Sequence, residues 1–168
     1  IRDSYNTCVG DRSGYSITSG THNTIIGRAA GYWTTTASHN TFLGYYAGYN
    51  NSTGYQNTFI GHKAGQNQTT SYENALVGFE CNGFGTGAGY HNAMLGHQAG
   101  YKVTSGRDLV FMGYKAGYSV TNCHSSVAIG SNAMSQYNLS CCTFVGYEAG
   151  KGAMQDNHVG LGYNALCN

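Results

Sequence analysis

A short apolar pattern recurs along the whole chain. Each copy has an apolar residue, then a glycine that we call the repeat glycine, and a small residue three positions later. The repeat glycines are Gly10, Gly27, Gly44, Gly61, Gly78, Gly96, Gly113, Gly130, Gly146 and Gly162. Most steps between them are 17 residues, and no step is shorter than 16 or longer than 18. Ten copies therefore fill residues 1–168 as a single repeat domain without separate caps.

The residues before each repeat glycine favour a β-strand. In Asn57-Thr58-Phe59-Ile60, β-branched and aromatic residues precede a glycine that permits a turn. A helical repeat needs about 33 residues or more, whereas short strands and tight turns fit the observed unit. The pattern predicts an all-β fold, a parallel β-solenoid (β-roll) of ten coils stacked about 4.8 Å apart.

Alternation along the strand assigns residues to two faces. We expect the residue before the repeat glycine to form the repeat core, at Val9, Ile26, Leu43, Ile60, Val77, Leu95, Met112, Ile129, Val145 and Leu161. This assignment predicts that Ile60→Asp unfolds the array. The preceding residue then forms an apolar stripe on the opposite face, which a partner should cover: Ile25, Phe42, Phe59, Leu76, Met94, Phe111 and Phe144.

Two versions of the repeat resemble known families. The segment Ser126-Val127-Ala128-Ile129-Gly130-Ser131-Asn132-Ala133 resembles the repeats of trimeric autotransporter adhesin heads, which are left-handed parallel β-rolls. The segment Asn57-Thr58-Phe59-Ile60-Gly61-His62-Lys63-Ala64-Gly65 is similar to glycine-rich repeats of phage tail-fibre-like and bacterial surface fibre proteins. These resemblances imply a homotrimer that buries the apolar stripe between chains, in an extracellular, cell-surface or virion fibre that contacts a host or neighbouring cell.

Two polar rows keep the same spacing. The first is an Asn ladder at Asn6, Asn23, Asn40, Asn57, Asn74 and Asn92, whose amides can hydrogen-bond from coil to coil or form a polar ligand-binding row. The second is a hydroxyl ladder at Thr18, Thr35, Ser52, Thr69, Thr86, Thr104 and Thr121. Its hydroxyls suit three roles, which are hydrogen bonding to turn backbone, O-glycosylation and ordering water to bind ice.

N-glycosylation sequons lie in the segment after the Ala-Gly-Tyr turn. They are at Asn50, Asn51, Asn67 and Asn138, where an exposed acceptor is expected. Chance also produces such triplets in a chain rich in Asn, Ser and Thr, so the sequons remain candidate glycosylation sites.

Composition removes several classes of partner. Only 9% of residues are charged and the formal net charge is +1, with no run of Lys or Arg, which argues against nucleic-acid binding. No stretch approaches the roughly 20 apolar residues of a membrane helix, so no membrane insertion is expected. The six Cys form no zinc-ligand spacing, although Cys123 and Cys141 fall near one another on successive coils, where a disulfide is conceivable.

Residues for catalysis or metal binding do not come together in the pattern. His22, His39 and His91 share one place in the repeat, but no third metal ligand is evident. We therefore predict no enzyme activity, no metal and no cofactor. The first functional hypothesis is a structural or adhesive segment of a surface fibre that contacts a glycan or receptor. The alternatives are a filament subunit that stacks head to tail, with or without glycans, and an ice-binding protein.

Overall fold

The computed structural model describes residues 4–87 and 89–167, and these residues fold as a parallel β-solenoid. Ten strands form one sheet in the order of the sequence. They are β1 (Thr7–Val9), β2 (Thr24–Ile26), β3 (Thr41–Leu43), β4 (Thr58–Ile60), β5 (Ala75–Val77), β6 (Ala93–Leu95), β7 (Arg107–Met112), β8 (His124–Ile129), β9 (Thr143–Val145) and β10 (Val159–Leu161). The predicted fold class is confirmed, with residues 1–3, 88 and 168 of the predicted domain outside the described part.

Equivalent residues of successive coils pair directly. Thr41 pairs with Thr58, Phe42 with Phe59 and Leu43 with Ile60. Pairing of like with like turns each strand position into a row along the solenoid, with residues about 4.8 Å apart.

The turns depend on left-handed backbone at fixed places in every coil. The repeat glycine Gly44 has φ +138°, and a Cβ there would lie 2.5 Å from the carbonyl oxygen of Gly61 in the next coil. Only glycine allows the coils to approach this closely. The residue before the Asn ladder is also left-handed without being glycine, for example φ 60° at His22 and His39. Each such residue costs about 1–2 kcal/mol, which the packing of the coil must offset.

The structure reverses the predicted faces of the strands, so both the repeat core and the oligomer stripe were assigned wrongly. The residues predicted to meet a partner lie inside the chain, and their exposed fractions do not exceed 2%: Ile25, Phe42, Phe59, Leu76, Met94, Phe111 and Phe144. The residues predicted to form the core point outward and are half-buried or exposed: Val9, Ile26, Leu43, Ile60, Val77, Leu95, Met112, Ile129, Val145 and Leu161.

The physical reason is the room inside the coil. Beside the inward residue of each strand lies the small residue, as at Ala47 and Ala64, which are fully buried. The fourth residue after the repeat glycine is usually also glycine, and a Cβ at Gly65 would lie 2.5 Å from Cδ2 of Phe59. Two small neighbours thus leave space for an aromatic ring, and burying Phe removes more apolar surface from water than burying Val or Ile.

Within a coil, the size of the inward strand residue and the size of one residue in the following turn compensate for each other. We call the fourth residue after the repeat glycine the compensating position. It is glycine in the coils whose inward residue is Phe: Gly48 with Phe42, Gly65 with Phe59, Gly117 with Phe111 and Gly150 with Phe144. Where the inward residue is Ala128, the compensating position is Met134, which is fully buried. The side chain of Met134 fills the volume that a ring occupies elsewhere.

The Asn ladder forms a continuous hydrogen-bonded row inside the solenoid. The Oδ1 atom of Asn40 accepts from the backbone N of Asn57 at 2.9 Å and from its Nδ2 at 3.1 Å. Nδ2 of Asn57 also donates to the carbonyl of Ser71 at 2.8 Å. The ladder therefore has the structural role that the sequence predicts.

The strands lengthen at the coil where the ladder stops. Leu109 has no side-chain acceptor, and β7 and β8 extend to six residues each, so that Leu109 pairs with Ser126 and Arg107 with His124. Ser126 then restores a side-chain acceptor, because its Oγ accepts from the backbone N of Cys142 at 3.2 Å.

Candidate functional site

The outer face of the sheet is a regular surface that runs along all ten strands. We define the outer face as the outward side chains of the strands, which form two rows. The row next to the repeat glycine is aliphatic throughout and includes Leu43 (43% exposed) and Leu95 (47% exposed). The second row consists of the residues two positions before those of the aliphatic row: Thr7, Thr24, Thr41, Thr58, Ala75, Ala93, Val110, Val127, Thr143 and Val159. Both faces of a parallel sheet are usually covered, and none of the described residues packs over this face as a second layer.

A cleft interrupts the outer face at the fifth and sixth coils. Ala75 and Ala93 stand there between the larger side chains of Thr58 and Val110, and they form the floor of an open cleft of about 450 Å³. The floor continues toward the aliphatic row as a second depression of about 160 Å³, which Val77, Leu95 and Met112 border.

One wall of this cleft is polar, and we call it the polar wall. It consists of the left-handed residues Gln56, Glu73 and His91. His91 Nε2 lies 2.8 Å from Oε2 of Glu73, and His91 Nδ1 lies 3.2 Å from Oδ1 of Asp108 in the next coil. Both ring nitrogens of His91 therefore face carboxylate oxygens, one from the coil before and one from the coil after.

Charged groups of both signs lie along the polar wall. Arg107 Nε lies 4.0 Å from Oδ2 of Asp108, so a guanidinium group stands beside one of the two carboxylates. Glu73, His91, Arg107 and Asp108 are all well exposed, which makes each contact worth little for stability. The wall therefore offers solvent-accessible hydrogen-bonding groups.

A column of aromatic rings follows the repeat glycines of the third to seventh coils. Its members are Tyr45, His62, Phe79, His97 and Tyr114, with successive ring centroids 4.9 to 5.3 Å apart. Because the rings face one another along the column, the faces of its inner members are already covered. A flat ligand has no open ring face there on which to stack.

The asparagines of the four sequons differ in burial and in hydrogen bonding. Asn51 is fully buried, so its prediction as a glycosylation site is wrong for the folded chain. Asn50 Nδ2 donates to Oδ1 of Asn67 at 2.9 Å, and Asn67 Nδ2 donates to the carbonyl of Gly83 at 3.0 Å, which ties both amides into coil-to-coil contacts. Asn138 is exposed, and its Oδ1 accepts from the backbone N of Thr121. Asn138 is the most accessible of the four predicted acceptors.

In four coils, the side chain of the hydroxyl ladder donates a hydrogen bond to a backbone carbonyl group. Thr18 Oγ1 donates to the carbonyl of Thr35 at 3.1 Å, and Thr35 Oγ1 donates to the carbonyl of Ser52 at 3.0 Å. Ser52 and Thr104 make the same contact with the coil that follows. Of the three roles that the sequence left open, hydrogen bonding to turn backbone accounts for these hydroxyls.

His22 and His39 stack in parallel, with ring centroids 4.8 Å apart. Within the described residues, no group of three or more His, Cys, Asp and Glu side chains could hold a metal ion.

The six cysteines are free thiols, so the disulfide considered for Cys123 and Cys141 is not formed. Burial raises the pKa of Cys123 to about 12, which keeps this thiol protonated.

The sequence did not indicate the cleft. Its signals are two departures from the repeat: Ala replaces Thr at Ala75 and Ala93, and charged residues follow one another at Glu73, His91 and Asp108. Neither signal can be interpreted if the residue before the repeat glycine lies in the interior, because the first strand residue shares its face and would then be buried as well.

Comparisons of the chain with protein-family models, with curated proteins and with solved structures found no match. Residues 4–87 and 89–167 contain no helix that is long and apolar enough to cross a membrane.

Proposed function

We propose that this chain is a non-enzymatic structural and adhesive segment of an extracellular or virion surface fibre. The observation that carries the proposal is the outer face, a pair of rows along ten paired strands, one of which is aliphatic in every coil and includes many exposed side chains. An extended row of exposed apolar side chains is typical of surfaces that meet a partner. The resemblance to adhesin heads and tail-fibre-like repeats supports the same class of function.

Regular stacking suits the chain to a mechanical role. Every described strand pairs with its neighbours in the sequence, so each coil contacts only the coils before and after it. Nine strand spacings of about 4.8 Å give a rod of about 43 Å. Such a rod holds its outer face at a fixed distance from whatever the fibre is attached to.

The reversal of the faces changes how copies of the chain would associate. A homotrimer cannot bury Phe42, Phe59 and their equivalents between chains, because these side chains are already inside each solenoid. An apolar surface that remains available for self-association is the aliphatic row of the outer face, including Leu43, Leu95 and Met112. Side-by-side oligomers are therefore proposed through this row.

Sedimentation velocity and electron microscopy of the purified chain test the proposal. We expect discrete rods that associate side by side as concentration rises, and we expect Leu95→Lys to weaken this association because it places a charge in the contact. Lys102→Ala, on another surface, is the matched control. Rods that never associate and adhere to no cell or glycan-coated surface would refute the adhesive function. Long unbranched filaments would instead support the alternative of a subunit that stacks head to tail.

A further inference from the structure

We propose that the cleft above Ala75 and Ala93 binds a neutral, extended saccharide that lies along the solenoid axis. The inference rests on the adhesive function proposed above and names the chemistry of the partner. It is carried by the shape of the cleft, the groups on the polar wall and the axial spacing of those groups.

The shape suits a ligand that lies along the surface. The cleft holds about 450 Å³ and is widely open to solvent, so it would contact one side of an elongated ligand rather than enclose it. The cleft reaches from the level of Thr58 in the fourth coil to Ala93 in the sixth, and the second depression extends it to Met112 in the seventh. It is therefore elongated along the rod, with one apolar side and one polar side.

The chemistry of the walls matches the two sides of a pyranose ring. A pyranose has a face of C–H groups, which can lie on the methyl groups of Ala75 and Ala93, and a rim of hydroxyl groups. Along the polar wall, the Gln56 amide both donates and accepts, and the Glu73 carboxylate accepts. Glu73 uses Oε2 for His91, which leaves Oε1 to accept from a hydroxyl.

The charge of the site favours a neutral ligand. The carboxylates of Glu73 and Asp108 already contact His91 and Arg107, so a strongly cationic ligand would have to displace existing contacts. An anionic ligand would meet the two carboxylates. Hydroxyl groups fit this surface without disturbing these contacts.

The spacing of the wall selects the shape of the saccharide. Gln56, Glu73 and His91 occupy the same place in successive coils, about 4.8 Å apart. This interval is close to the length that one sugar adds to an extended β-1,4-linked chain. An α-1,4-linked chain curves away from a straight row, so it cannot follow the three wall residues.

The test is a titration of the full chain, labelled with ¹³C at the alanine methyl groups, with cellopentaose, chitopentaose and maltopentaose. We expect at least one of the two extended β-1,4 oligosaccharides to shift the Ala75 and Ala93 methyl signals saturably. Buried methyl groups such as Ala47 should not respond. Maltopentaose should bind at least about fivefold more weakly, because it presents fewer hydroxyls to the wall.

Two variants localise the binding. Ala93→Leu fills the floor from the solvent side and should weaken binding about tenfold or more, whereas Thr41→Leu, in the same row outside the cleft, should leave it unchanged. Glu73→Asn removes the carboxylate at a left-handed position that Asn tolerates, and it should also weaken binding. Circular dichroism checks that each variant keeps its β-structure.

The outcomes separate this inference from the adhesive function. Absence of saturable shifts with both β-1,4 oligosaccharides at about 10 mM, or equal affinity for maltopentaose, would overturn the saccharide site. Shifts that survive Ala93→Leu would place the ligand elsewhere and overturn it as well. A chain that adheres to a cell surface but gives no such shifts keeps the adhesive function and loses this site.

Discussion

At the residue scale, single side chains link the coils. Asn40, Asn57 and Asn74 of the ladder are buried and bond to the coils on both sides, so their amides link the coils as backbone pairing does in a longer strand. The small residue three positions after the repeat glycine is equally constrained, because Ala47 and Ala64 have no exposed surface. At this scale, stability depends on satisfying buried polar groups and on leaving no excess volume.

Asn57→Ala should destabilise the fold by about 3 kcal/mol. The change removes the acceptor for the backbone N and Nδ2 of Asn74 and the donor to Ser71, and it leaves those groups buried. Urea unfolding followed by circular dichroism measures the loss. Asn50→Ala is the control, because Asn50 makes one partly buried contact, and it should cost less than about 1 kcal/mol. Equal losses for the two variants would contradict a special role for the ladder.

The thiol of Cys81 should make the fold sensitive to alkaline pH. Burial raises the pKa of Cys81 from 9.0 to about 12, so the folded chain holds this proton more tightly than the unfolded chain. The contribution is complete below pH 9 and is lost as pH rises toward 12, at about 1.4 kcal/mol per pH unit.

Cys81→Ala tests this dependence with a residue that most coils already have at the same place. The free energy of unfolding, measured from pH 7 to pH 11, should fall less steeply in the variant than in the parent chain. All tyrosines remain in both proteins, so their titration cancels in the comparison. Parallel curves would show that the thiol is not the source of the slope.

At the scale of the element, a coil is a small packing unit whose parts compensate. The inward strand residue and the compensating position are six residues apart in the sequence and contact one another in space, as with Phe59 and Gly65. In the coil of Ala128 and Met134, the inward strand residue is small, the compensating position is large, and both are fully buried. The total volume inside the coil is therefore more constrained than the identity of either residue.

A double-mutant cycle on one coil tests the compensation. Phe59→Ala should cost about 4 kcal/mol because it leaves a cavity. Gly65→Met should also destabilise the chain, since its side chain meets the ring of Phe59 at a position with φ +57°. Together the two changes recreate the arrangement of Ala128 and Met134, so the double variant should be more stable than the sum of the single losses by about 1–3 kcal/mol. Additive losses would contradict compensation.

At the scale of the whole molecule, the solenoid has a closed interior and an uncovered outer face. Side chains on the outer face are half-buried or exposed, so they contribute less to folding than the inward residues and can serve contacts with other molecules. The distinction can be tested on adjacent residues, because Phe59 points inward and Ile60 points outward on the same strand.

Ile60→Asp should keep the fold and cost about 2 kcal/mol, because Ile60 is half-buried, whereas Phe59→Asp should unfold the array, because it buries a carboxylate without a partner. Thermal melts of the two variants, followed by circular dichroism, compare them directly. Similar melting temperatures would show that the faces are not distinguished in this way. Loss of the β-structure in Ile60→Asp alone would restore the original sequence-based assignment.

The sequence was sufficient to predict the solenoid but not its interior. The spacing of the repeat glycines set the number of coils, and the β-branched residues before them set the strands. Alternation distinguished two faces, but both carry apolar residues, so it could not show which one lies inside. That choice depends on the cross-section of the coil, which follows from small residues such as Ala64 and Gly65 on a different part of the repeat. The cleft was missed for the same reason, since Ala75 and Ala93 matter only on an outward row.

Compensation within a coil has a consequence for how such a chain can change its length during evolution. The two residues that must match lie in one repeat, so duplicating or deleting a whole repeat carries a matched pair and leaves no mismatch in volume. A recombination point between the strand of a Phe coil and the turn of the Ala128 coil would instead unite a ring with the bulky Met134. Unequal crossing-over at repeat boundaries therefore yields longer or shorter rods that still pack, and the crossover points that survive are expected to lie outside the interval from the inward residue to the compensating position.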